Sequence, residues 1–193
     1  MVVGLTGGYC AGKDRVARIF ASHGFRVIDV DEIGHEVLSQ KEGEVAAAFG
    51  PDVRLPGGGV DRRSLGAVVF ADPAARARLE EIVHPAMAQR VREILSGGRG
   101  DWVINAAILH RMGLHALCDA VVCVSAPALL RLVRAVRRDR FTLREAAARI
   151  SAQRGMCPQL NDPGVDTYNV RNGGTARSLE RRVDRLVHLL KGR

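Results

Sequence analysis

The sequence predicts an α/β fold built on a central parallel sheet of about five strands. Three observations carry this. Short, near-continuous apolar runs recur along the chain, as strands covered on both faces require. They alternate with longer stretches of helical periodicity. The first run, residues 2–6, ends in Gly7-Gly8 and leads at once into a helical pattern and then a second apolar run. That strand–turn–helix–strand order makes the two strands parallel.

Residues 12–22 have helical spacing, with Val16, Ile19 and Phe20 on one face and Ala17 and Ala21 beside it. Gly24, just after His23, is a helix stop. Residues 25–29 read as the second strand and 31–40 as a helix; 50–59, rich in Gly and Pro, must be a loop. The stretch 61–95 reads as helical throughout, with Leu65, Val68, Val69 and Phe70, then Leu79, Ile82 and Val83, then Met87, Val91 and Ile94 recurring at helical spacing. Phe20, Phe70 and Met87 are read as core residues. Residues 102–107 and 120–124 are the third and fourth strands. Pro127 opens a helix to Val136, residues 137–142 break it, and 143–154 resume it. A weaker fifth strand spans 166–170, and a final amphipathic helix spans 176–190 with Leu179, Val183, Leu186, Val187 and Leu190 inward.

Composition narrows the function. Hydrophobic residues make up 47% of the 193 residues and charged residues 26%, which suits one core under a soluble surface. No apolar run reaches the roughly 18 residues a membrane span needs, and the opening residues lack a signal peptide's basic start, so a cytoplasmic protein without a membrane partner is expected. Cys10, Cys118, Cys123 and Cys157 are scattered and form no Cys-x-x-Cys pair. A zinc site or disulfide framework is therefore not expected. The net charge of +8 is mostly arginine spread through helices. It suits either small polyphosphate ligands or nucleic acid, but no nucleic-acid motif accompanies it.

The chemistry-bearing motif is Gly7-Gly8-Tyr9-Cys10-Ala11-Gly12-Lys13-Asp14, after a strand and opening a helix. It matches the phosphate-binding pattern G-x-x-x-x-G-K-[ST] except at the last position. Glycines let backbone N–H groups turn toward one anion, and the helix N-terminus adds partial positive charge. Lys13 supplies a point charge for the β- and γ-phosphates. The last position usually offers Mg²⁺ a hydroxyl. Asp14 offers a carboxylate instead, a good hard-oxygen ligand that adds a full negative charge. The rival reading makes Asp14 an ordinary acidic residue of a helix's first turn.

Further residues give the whole chain a resemblance to the dephospho-CoA kinase family. It begins at Val3-Gly4-Leu5-Thr6-Gly7-Gly8 and continues through Phe25-Arg26-Val27-Ile28-Asp29-Val30-Asp31. Its most specific stretch runs from Val60-Asp61-Arg62-Arg63-Ser64-Leu65 through Val69-Phe70-Ala71-Asp72-Pro73 to Leu79-Glu80-Glu81-Ile82-Val83-His84-Pro85. Arg138-Asp139, Arg149-Ile150, Ala152-Gln153 and Asn172-Gly173 extend it.

The resemblance implies a P-loop NTPase-like three-layer sandwich. Residues 1–193 would form a single kinase domain, with a helical substrate insertion at about 32–96 and a short lid at about 134–158. It implies γ-phosphoryl transfer from ATP, with Mg²⁺, to the ribose 3′-hydroxyl of dephospho-CoA, the last step of coenzyme A synthesis. Gly8, Tyr9, Cys10, Ala11, Gly12, Lys13, Asp14 and Arg15, with Asn172 and Gly173, would bind the nucleotide, and Asp14 the metal. Asp31, at the end of the second strand, would accept or orient the hydroxyl proton; its rival reading is a helix cap. Arg134, Arg138 and Arg140 would clamp the phosphoryl from the lid, unless they form one solvated helix face with Arg131. Arg62 and His84 would hold dephospho-CoA, unless Arg62 merely pairs with Glu80 or Glu81 and His84-Pro85 is a helix-to-loop junction. A monomer or weak homo-oligomer is expected.

The nucleotide side departs from the family pattern. Cys10 and Asp14 stand where Gly and Ser are usual, and Ala11 and Arg15 where Ser and Thr are. Asn105 and Arg111 stand where acids are usual, and Val170-Arg171 where Asp and Asn are common. If position 10 needs positive φ, its Cβ costs about 1 kcal/mol. Three readings stay open here: a kinase with a compensated site, an impaired homologue binding CoA-like ligands, and a basic nucleic-acid-binding protein.

Overall fold

The computed structural model describes residues 1–139, 141–152 and 164–192. The chain divides into two compact units, Met1–Ile28 with Arg99–Arg193, and Asp29–Gly98.

The first unit is built on a five-stranded sheet. Its strands are β1 (Val2–Gly7), β2 (Arg26–Asp29, whose last residue opens the other unit), β3 (Trp102–Asn105), β4 (Ala120–Ser125) and β5 (Asp166–Arg171), in the spatial order β2-β3-β1-β4-β5. β1 pairs in parallel with β3 (Leu5 opposite Asn105) and with β4 (Thr6 opposite Cys123), and β4 with β5. The central strands are buried almost throughout, which is why they read as unbroken apolar runs. Val3, Leu5, Val103, Val122 and Val124 pack with α1 (Lys13–Ser22) and α8 (Ala176–Lys191) into one aliphatic core. Val16, Ala17 and Phe20 are the buried residues of α1, while Leu179, Val183, Leu186, Val187 and Leu190 are those of α8. α6 (Ala128–Asp139), α7 (Leu143–Ala152) and a short 3₁₀ turn, Leu114–Leu117, also belong to this unit.

The second unit is helical: α2 (Val30–Gln40), α3 (Glu42–Phe49), α4 (Arg62–Ala71) and α5 (Pro73–Ser96). Its small core is Val45, Val53 and Leu65, with Leu38, Phe49, Val60, Val69, Leu79 and Ile82 against it. Asp61 caps α4 by accepting from the Arg63 and Ser64 N–H groups. Asp72 caps α5 through the Ala74 N–H. No helix among the described residues is long and apolar enough to cross a membrane.

Several expectations need correction. The helical stretch 61–95 is two helices, broken where Asp72 leaves helical geometry to cap α5. α3 lies just before the loop read at 50–59, which itself holds a short 3₁₀ turn, Pro51–Val53. α6 does not break at Arg137 but continues to Asp139, since arginine is a good helix former. Phe70 is not a core residue: it is 64% exposed. It lies five positions past buried Leu65, about 140° around the helix, and so leaves the core face. Against the expectation of no disulfide framework, Cys123 is disulfide-bonded, while Cys10 and Cys118 are free. Wide spacing in sequence sets no limit on approach in space.

Candidate active site

The phosphate-loop residues lie between the end of β1 and the start of α1. Gly12 is the N-cap of α1 at φ 96°, and no side chain caps the helix. The Arg15 N–H turns back to the Gly12 carbonyl at 3.2 Å; the N–H groups of Lys13 and Asp14, ahead of it, are those that a helix start offers to an anion. Gly12 is required twice over: its φ is left-handed, and a Cβ there would lie 2.3 Å from Asn172 Nδ2. That amide group donates to the Ala11 carbonyl at 2.8 Å, tying the turn after β5 to the loop. The Ala11 N–H closes the loop on the Gly8 carbonyl at 3.0 Å. Cys10 adopts φ 56°, the left-handed backbone its glycine-like place foreshadows.

Side chains from α6 bear down on this loop. Arg131 Nε donates to the Tyr9 carbonyl at 2.7 Å. Its Nη2 is buried without a hydrogen-bond partner among the described residues, and lies 2.6 Å from where a Cβ on Gly8 would stand. Arg134 Nη1 donates to the Cys10 and Ala11 carbonyls, both at 3.4 Å, and Nη2 to the Asn172 carbonyl and side-chain oxygen, both at 3.3 Å. The Arg138 guanidinium lies 5.4 Å from the centre of the Tyr9 ring and binds both oxygens of Asp139, at 2.9 and 3.1 Å. The Tyr9 hydroxyl donates to the same carboxylate.

The electrostatics follow the contacts. The Arg138 guanidinium, and then the Tyr9 hydroxyl, hold the Asp139 carboxyl below its ordinary range. Arg138 is held charged more firmly by the same contact. Burial pushes the Tyr9 phenol and the Cys10 thiol up.

The loop residues Gly8 to Lys13, Arg134, Arg138 and Asn172 are thus brought together, with Gly173 next in the chain. Asp14 is exposed on the first turn of α1, and Asn105 Nδ2 approaches its Oδ1 at 3.4 Å. Arg15 lines an open cavity of about 520 Å³ with Arg18, Ile19, Ser22, Ala176 and Glu180. Arg140 lies outside the described residues.

In the helical unit, Asp31, Arg62 and His84 sit on α2, α4 and α5. Asp31 is not at the strand end but inside the first turn of α2. The cap is Asp29, whose carboxylate accepts the Asp31 N–H at 3.0 Å. His84-Pro85 is no helix-to-loop junction, because both residues lie inside α5. The sequence reading missed Arg131 and Asp139 as site residues. The spacing of Arg131, Arg134 and Arg138 signalled one helix face, but a face turned to solvent gives the same spacing.

A strand, a glycine loop and an uncapped helix start, ringed by arginines, define a P-loop phosphotransferase of the kinase class. The family model for dephospho-CoA kinase matches residues 1–161. A dephospho-CoA kinase of Streptomyces avermitilis is 43% identical over 94% of this chain and 89% of its own length. One from Anaeromyxobacter dehalogenans is 37% identical over 99% of this chain and 92% of its own. Among solved structures, TT1252 from Thermus thermophilus is 29% identical, covers 98% of this chain and 97% of its own, and superposes with a TM-score of 0.82. The chain belongs to the dephospho-CoA kinase family.

Proposed function

We propose that this chain transfers the γ-phosphoryl group of ATP to the ribose 3′-hydroxyl of dephospho-CoA in the cytoplasm. The observation that carries the nucleotide half is the loop itself: Arg131 and Arg134 from α6 and Asn172 after β5 all hydrogen-bond carbonyls of residues 9–11. Carbonyls so occupied leave the loop's N–H side for phosphate.

In this reading Lys13 and the N–H groups at the start of α1 hold the β- and γ-phosphates. The bond from the acceptor oxygen to the γ-phosphorus forms as the bond to the β–γ bridging oxygen breaks, and ADP leaves. Asp31 takes the hydroxyl proton. Arg134 and Arg138 neutralise charge on the transferring group, the main demand of such a transfer. Arg62 and His84 hold the dephospho-CoA end, and Arg15 lies toward the α-phosphate. Family chemistry of this kind uses Mg²⁺, and the donor present fits it: Asp14 sets an exposed hard-oxygen carboxylate directly after Lys13. Bound there, the ion would neutralise charge on the phosphate oxygens.

The test is a coupled ADP-release assay with Mg²⁺, ATP and dephospho-CoA, run beside Lys13→Ala. Product that disappears in Lys13→Ala is expected. No turnover, with dephospho-CoA still raising the melting temperature, would mean a fold that keeps its substrate and has lost its chemistry.

A further inference from the structure

P-loop proteins in general hold their divalent ion with two protein groups: a hydroxyl on the residue after the lysine and a carboxylate from a strand beside the loop. In this chain the residue after Lys13 carries the carboxylate, Asp14, and the nearby strand offers an amide, Asn105. The two side chains meet, Asn105 Nδ2 to Asp14 Oδ1, at 3.4 Å. Their places are fixed independently. Asp14 is set by the first turn of α1 and is exposed. Asn105 ends β3, opposite Leu5 of β1, and is 5% exposed.

We infer that Asp14 and Asn105 are one exchanged metal-site pair. The single negative charge has moved from the strand to the helix, and the strand now supplies a neutral donor that aims it. The inference deepens the Mg²⁺ assignment above and rests on it. The pair still brings one carboxylate and one neutral group, so its charge is unchanged. A carboxylate on an exposed helix turn has several orientations. The buried Asn105 amide narrows them toward the loop, which makes it a positioning residue. Outer partners of this kind typically govern metal affinity by about 10–100-fold.

The test is Mn²⁺ binding, followed by electron paramagnetic resonance, to the protein with the β,γ-methylene analogue of ATP. The expected results form a cycle. Asp14→Ser weakens Mn²⁺ binding by about 10-fold or more. Asn105→Ala weakens it by about 10-fold while Asp14 remains. Asp14→Ser with Asn105→Asp recovers most of the lost affinity by returning the carboxylate to the strand. Melting temperatures measured alongside separate lost metal from lost fold. Asn105→Ala covers the case in which the buried Asn105→Asp change unfolds the chain. Three results would each overturn the inference: a parent that binds no Mn²⁺ with the analogue, an Asp14→Ser variant that binds as the parent does, or a folded double variant no better than Asp14→Ser. The dephospho-CoA assay is read separately. The expected metal cycle without any coenzyme A formed would sink the substrate assignment and leave the exchanged pair standing.

Discussion

Cys10 shows what a single backbone angle can decide. Its left-handed φ of 56° costs a residue with a Cβ about 1–2 kcal/mol, against the 0.5–1 kcal/mol of extra chain entropy that glycine would lose on folding. Cys10→Gly should therefore hold or raise the unfolding midpoint in urea. Cys10→Val, β-branched, should lower stability by about 1–3 kcal/mol. A valine variant as stable as the parent would show that the loop relaxes away from this angle. The thiol carries a second prediction. Burial raises its pKa, so at neutral pH its thiolate fraction lies below that of an ordinary cysteine. Iodoacetamide should label it more slowly than a free peptide thiol near pH 8, with the gap closing in urea. Cys118, pushed up to about 12 by burial, should label only on unfolding. The strain at position 10 was legible because the phosphate-loop spacing marks that place as glycine-like. The Tyr9–Asp139 contact was not, because nothing in a linear pattern says where a tyrosine hydroxyl ends up.

The helices α4 and α6 differ in how they are held. Asp61 caps α4 with two backbone N–H groups and the Ser64 hydroxyl, and the Ser64 bonds hold its carboxyl below the usual range. A depressed folded pKa means a contribution present above the ordinary carboxylate pKa and lost as pH falls through the folded value. Asp61→Ala should lower the melting temperature at pH 7. Asp61→Asn, which can also cap, should keep most of it while flattening the acid dependence. On α6, Arg134→Ala should cut kcat by about 100-fold, since the side chain grips Cys10, Ala11 and Asn172. Exposed Arg137→Ala, on the same helix, should leave kcat near the parent's. Equal losses in both would point to bulk charge instead of aimed contact. Helix periodicity located α6 and found α4 only as part of one stretch with α5. The end of α6 was misplaced because two arginines look like a solvated break yet favour helix. At Pro85 the helical reading holds over its rival, a helix-to-loop junction: proline weakens a helix, but α5 runs on through it.

At the scale of the whole molecule, the parallel sheet was the most legible feature, since strands buried on both faces leave little room for polar residues. β1, β3 and β4 follow from that rule; β2 and β5 are exposed at several positions and read more weakly, and the inward face of α8 follows from its helical period instead. Strand order does not, because every apolar run looks alike to its neighbours. The aliphatic core between the sheet and α1 and α8 should respond as one body: Leu179→Ala, at a site 1% exposed, should cost about 2–5 kcal/mol by denaturant melting. A loss under 1 kcal/mol would mean that the layer repacks. The pairing of β1 has a further consequence for how the protein is made. Val2 lies opposite Trp102 and Val3 opposite Ala120, so β1 leaves the ribosome about a hundred residues ahead of both its partners. At about 5–20 residues per second, it waits roughly 5–25 s with both edges open. A nascent chain stalled before Trp102 exposes an apolar strand that chaperones would shield, and no nucleotide can rescue it. The loop of residues 8–12, held by Arg131, Arg134 and Asn172, takes shape only once the second half of the message has been read.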